Sequence, residues 1–116
     1  MTTAAVPPAG SPVPRPAQTP DALREALAVV APDRLDEMAA SKDEAFAQAV
    51  EQQSLTPVRA WVLTWARDIE IARRPDLAAR YQHANSHLED EDPDTARKAL
   101  EELTAVLDEA LAEVRR

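Results

Sequence analysis

His83 and His87 stand four residues apart, and Glu91 follows four residues later. On a helix this spacing brings two imidazoles and a carboxylate to one side, a trio that can ligate zinc. The remaining parts of a zinc site are missing from the sequence: it has no His-Glu-x-x-His, no cysteine and no second histidine pair. Glu91 also falls in an acidic run, Glu89-Asp90-Glu91-Asp92, where a helix is expected to end. The expectation is a solvated helix flank, with Asp76 and Arg80 pairing beside it at i,i+4 spacing, and no tight metal site.

The second group able to do chemistry is basic. Arg59, Arg67, Arg73 and Arg74 fan over about a third of one helix circumference, with Leu63 and Glu70 among them. An apolar anchor ringed by arginines is the mixture enriched at protein interfaces, so Arg59, Leu63, Arg67, Arg73 and Arg74 are the candidate protein-binding residues. The alternative is that these arginines pair internally with acidic residues of 33–53 or 93–113. Trp61 and Trp65 have the aromatic faces to stack bases, but their spacing beside Val58, Val62 and Ile69 makes them core. Gly10 is the sole glycine, so no phosphate-cradling loop exists, and no serine or threonine has a supporting histidine motif. Neither a catalytic residue nor a bound cofactor is expected.

Proline punctuation sets the elements that must position these groups. Pro7, Pro8, Pro12, Pro14 and Pro16 crowd the N-terminus, and with few apolar residues they mark 1–18 as a disordered, dispensable tail. Pro20, Pro32, Pro57, Pro75 and Pro93 stand singly, and four of them precede an aspartate: Asp21, Asp33, Asp76 and Asp94. Proline fits the first helical position and aspartate fits the first turn, where the helix dipole favours negative charge. Thr19 predicts an N-cap for a helix over about 20–30, closed by Ala31-Pro32. A helix over about 33–53 aligns Leu35, Met38, Ala39, Phe46, Ala49 and Val50. Ser41 and Glu44 also match a capping box, but the stripe keeps phase across them and favours one continuous helix. Thr56 caps a helix from 57 to about 73 that carries Val58, Trp61, Val62, Trp65, Ile69 and Ala72 on one face. Leu63 and Ile71 lie off that face, which places this helix at the centre. Helices of about 76–88 and 93–115 follow. Asp92 caps the last one, and Ala96, Leu100, Leu103, Leu107, Ala110, Leu111 and Val114 form its stripe. The fold class is therefore all-α: a bundle of about five helices over 19–116 behind the proline-rich tail.

Composition bounds the partners. Net charge is −8, distributed as −5 over 20–56, +2 over 57–80 and −6 over 81–116. Such a chain repels phosphate backbones and favours a basic protein partner, leaving only the 57–80 arginines for an alternative DNA-binding regulator. Alanine accounts for 24 residues, and because it buries little area the core is thin and leaves room for a stabilising partner or a homo-oligomer. No apolar run approaches the roughly 20 residues of a membrane span, and the N-terminus lacks the order of a signal peptide, so a cytoplasmic location is expected.

Val30-Ala31-Pro32-Asp33-Arg34-Leu35, the alanine-rich helix after it, Ser54-Leu55-Thr56-Pro57-Val58-Arg59-Ala60 and Trp65 resemble a family of small actinobacterial proteins of unassigned function. Its members have a "Leu-x-Pro-x-x-Arg" opening, a "Leu-x-Pro-Val" turn and a tryptophan-bearing helix. Some members are encoded beside RelE-like toxins, so the resemblance implies an antitoxin-like partner of a small basic toxin. It spans residues 30–66. The family's frequent double tryptophan reads Trp65-Ala66 here, and the helix at 93–115 lies outside the family pattern. The preponderance of arginine over lysine, eleven to two, fits a GC-rich genome.

Overall fold

The computed structural model describes residues 13–116, so the expectation of a disordered tail lies outside the described residues up to residue 12. Five α-helices occupy the rest: α1 Pro20–Val30, α2 Leu35–Gln52, α3 Thr56–Arg73, α4 Pro75–Ser86 and α5 Pro93–Val114. A 3-10 turn, Pro32–Arg34, joins α1 to α2, and no strand occurs among the described residues. No helix there is long and apolar enough to cross a membrane.

The helix boundaries follow local chemistry. Thr19 Oγ1 accepts from the backbone N–H of Ala22 at 3.2 Å, and Asp92 Oδ1 accepts from Asp94 N–H at 3.4 Å. Each cap satisfies a donor that the first helical turn leaves orphaned. Pro20, Pro75 and Pro93 each occupy the first position of their helix. Thr56 is itself the first residue of α3 and not its cap. Ser54 Oγ accepts from Thr56 N–H at 3.1 Å, so the side chain that serves the start of α3 lies two residues earlier than expected. At the end of α2, Gln53 adopts the left-handed conformation at φ 53°, a helix stop that glycine or asparagine usually supplies.

α3 is the common wall of the molecule. It packs on all four other helices, whereas α2 and α5 do not touch one another. Two clusters of buried side chains form, one on each side. Leu23, Leu27, Met38, Trp61, Trp65 and Ile69 build the larger between α1, α2 and α3, closed by Val114 from the end of α5, and Ile71, Leu77, Val106 and Ala110 build the smaller between α3, α4 and α5. This layout is flat: the extents are 47 × 44 × 27 Å. The radius of gyration is 16.2 Å, against about 13 Å for a compact domain of 100 residues.

The position of α2 corrects its expected face. It runs unbroken through Ser41, as its phase predicted, but it leans almost wholly on α3 and therefore buries only a narrow stripe headed by Met38 and Ala45. Phe46 is 46% exposed and Val50 78%, although both were expected in the core. Ser41 does not cap a helix. Its hydroxyl donates to Met38 O at 3.0 Å and accepts from the indole N–H of Trp61 at 3.0 Å and of Trp65 at 3.3 Å. Both tryptophans are buried, as their spacing required. On α5 the innermost positions are Ala99, Val106, Ala110 and Val114, while Leu100 of the expected stripe faces outward.

Candidate functional site

The last two turns of α3 and the residue after it hold Arg67, Asp68, Glu70, Arg73 and Arg74, a cluster of charges of both signs. At its centre, Glu70 is buried with no exposed surface. Its carboxylate receives a two-pronged contact from Arg15, both bonds 2.9 Å long, from Nε to Oε1 and from Nη2 to Oε2. Arg73 Nη1 donates to Oε1 at 2.9 Å, and Arg74 Nη1 lies 3.7 Å from Oε2. Arg15 itself is 41% exposed, so the carboxylate is sealed by a lid of guanidinium groups and not sunk deep in the core. Burial pushes Glu70 up; hydrogen bonds from Arg15 and the charges of Arg73 and Arg15 more than offset it, holding the group below the ordinary carboxylate value.

Arg15 reaches Glu70 because residues 13–18 run without regular structure along the body, which corrects the expectation that all of 1–18 is a free tail. Val13 O accepts from Arg73 Nε at 2.6 Å, and Gln18 Nε2 donates to Val114 O at the end of α5. The physical reason is specific: a covered carboxylate recruits a cation from a distant stretch of the chain to join those near it in sequence. Deleting residues 1–12 is therefore expected to leave the thermal midpoint unchanged, while deleting 1–18 lowers it by more than about 5 °C, near 1 kcal/mol for a domain this size. Parallel melts of the two truncations check this, and equal midpoints would show that Arg15 contributes nothing.

The five residues expected to form one interaction surface are dispersed. Arg73 and Arg74 are held on Glu70, and Arg74 also meets Asp76 at 2.7 Å. Arg67 pairs with Asp68 at 2.9 Å. Leu63 is half-buried against the larger core cluster. Arg59 alone is exposed with no ion pair among the described residues. The internal pairing differs in detail from either expected set of acidic partners, since most acceptors lie on α3 itself. Arg80, expected to pair with Asp76, instead bridges to α5, meeting Glu102 at 3.0 Å and Glu109 at 2.7 Å.

Arg34, at the end of the 3-10 turn, was not singled out by the sequence. Its guanidinium stacks 4.5 Å from the Trp65 ring centroid, forms two bonds to Glu37 and reaches Asp68 Oδ2 at 3.3 Å. Arg34, Arg67 and Asp68 form the polar edge of a groove of about 450 Å³ whose other walls include Val30, Ile71, Tyr81 and Leu107. None of the residues lining it is a serine, threonine, cysteine or histidine. His83 and His87 stack edge to face, 4.8 Å between centroids, beside a second groove of about 390 Å³ that also includes Lys98 and Glu102. Among the described residues no three of His, Cys, Asp and Glu gather where they could hold a metal ion.

The distribution of pairing is uneven. Arg15, Arg34, Arg67, Arg73, Arg74, Arg80, Arg97 and Arg116 are in ion pairs. Asp36, Asp43, Glu44 and Glu51 on α2, and Glu101 and Asp108 on α5, are exposed and have no cationic partner among the described residues. No family model, no curated protein and no solved structure matches the chain.

Proposed function

We propose that this chain is a non-catalytic, cytoplasmic helical domain that binds a basic protein, in the antitoxin-like role that the resemblance over residues 30–66 implies. The observation that carries it is the asymmetry of pairing: folding engages most arginines in internal ion pairs, while exposed carboxylates on α2 and α5 stay unpartnered. The resulting field speeds encounter with a cationic partner and opposes a polyanion. The rival, a DNA-binding regulator, needs the arginines of 57–80, of which Arg67, Arg73, Arg74 and Arg80 have carboxylate partners.

Co-purification with the untagged product of the neighbouring gene is expected to retain a small basic protein, and the complex should loosen as salt rises. A gel-shift assay on the chain's own promoter at low salt should show no shift. Shifted DNA with no retained protein would reverse the assignment in favour of the regulator.

A further inference from the structure

Residues 13–18 lie on the body through polar contacts, with little apolar burial. Val13 and Pro16 are half-buried, Pro14, Arg15, Ala17 and Gln18 are exposed, and none of the six belongs to either core cluster. Pro14 and Pro16 have fixed φ and no N–H, so an extended strap here forms at low entropic cost, and those two positions leave no orphan donor when it lifts. A segment with so few buried apolar contacts opens locally while the bundle stays folded.

What the strap would uncover stays built. Glu70 keeps Arg73 Nη1 at 2.9 Å and Arg74 Nη1 at 3.7 Å, so its carboxylate is not orphaned. Arg73 Nε gives up Val13 O, and Val114 O gives up the Gln18 amide. Glu113 O, 3.5 Å from Arg15 Nη1, is a further acceptor for a guanidinium. These groups stand on two helices, α3 and α5, and at the residues that end them. Together they read a guanidinium, a main-chain carbonyl two residues before it and an amide three residues after it. The other charges in contact are Asp76 on Arg74 and Glu113 on Arg116. With Arg15 lifted, Glu70, Asp76 and Glu113 balance Arg73, Arg74 and Arg116, so net charge selects nothing. The forked geometry does, and it favours a guanidinium over an ammonium.

We infer that the Glu70 corner is a receptor for an arginine in an extended segment of a basic protein, and that residues 13–18 occupy it as an internal competitor. This rests on the reading of the chain as a binder of a basic protein, and it names the place where that partner is gripped. The chemistry of the occupant is that of the one already seated, an arginine in an extended chain between two prolines. Tethering gives the strap an effective concentration on the order of millimolar. A foreign arginine therefore displaces it only when its protein is also held elsewhere, as on the unpartnered carboxylates of α2 and α5. The strap screens out isolated arginine peptides and admits a partner that engages both surfaces.

A synthetic peptide of residues 11–19, titrated by calorimetry into the full Arg15→Ala chain, is expected to bind and to raise its thermal midpoint. The wild type should bind the same peptide about tenfold more weakly or worse, because its own strap competes. Replacing the peptide's arginine by lysine should weaken binding to Arg15→Ala by about tenfold, since lysine cannot fork. Arg15→Lys keeps a cation over Glu70 and is the second variant should Arg15→Ala not fold; it too should bind the peptide more tightly than wild type. No binding to either variant, equal binding by variant and wild type, or no preference for arginine overturns the proposal and leaves a basic partner to the outer faces of α2 and α5. Peptide binding as expected, with no basic protein retained in co-purification, would instead sink the antitoxin-like role while the arginine seat stands.

Discussion

Trp65→Ala is expected to cost about 3–5 kcal/mol, the usual range for removing a buried large aromatic side chain. The ring is 3% exposed and lies in the larger core cluster, with Arg34 stacked on its face and its N–H on Ser41. Truncation thus opens a cavity at the α2–α3 contact and strips Arg34 of its aromatic partner. Trp65→Phe separates these effects: it keeps most of the apolar volume and loses one hydrogen bond, at about 1 kcal/mol. Urea titration of both variants provides the check. An unchanged midpoint for Trp65→Ala would remove α3 from its place at the centre of the fold.

The second large effect is expected at Glu70. Glu70→Gln preserves shape but leaves Arg15, Arg73 and Arg74 converging on a neutral amide, so three like charges lose their common counter-ion. Breaking a buried pair costs about 3–5 kcal/mol, and discounting for the partial exposure of Arg15 gives roughly 1.5–3 kcal/mol here. The same group sets a pH window. Its folded value lies below the 4.5 of an ordinary glutamate, so its stabilisation is complete above about 4.5 and disappears as pH falls through the lower, folded value. Unfolding midpoints measured from neutral pH into that range should converge for wild type and Glu70→Gln. Two curves running parallel through acid would mean that the cluster does not titrate with folding.

Much of this fold was legible because its signals are local. A proline with a following aspartate, or a threonine three residues before an orphan N–H, works within one helical turn, and α1, α4 and α5 begin where those residues require. The continuity of α2 through Ser41 was legible too, since the apolar phase survives there. The buried faces of α2 and α5 were not, because periodicity gives the direction of an apolar arc but not its width. A helix leaning on a single neighbour buries less than its arc offers, which left Phe46 and Val50 outside. Glu70 was hidden for a different reason. It read as one acid among arginines, and the cation that completes its cage lies 55 residues earlier, in a stretch whose composition resembles unstructured chain. Arg34 escaped notice likewise, since nothing in its own neighbourhood foretells Trp65.

The shared serine gives the molecule a built-in optical gauge. Both indoles of the protein sit at one contact, 6.5 Å apart, and both hang their N–H on a single oxygen carried by α2. Indole emission shifts to the red when that environment becomes wet, so the intrinsic signal reports on the seating of α2 on α3 and on the larger core cluster around it. Anything that pries α2 loose from α3 therefore registers without a label.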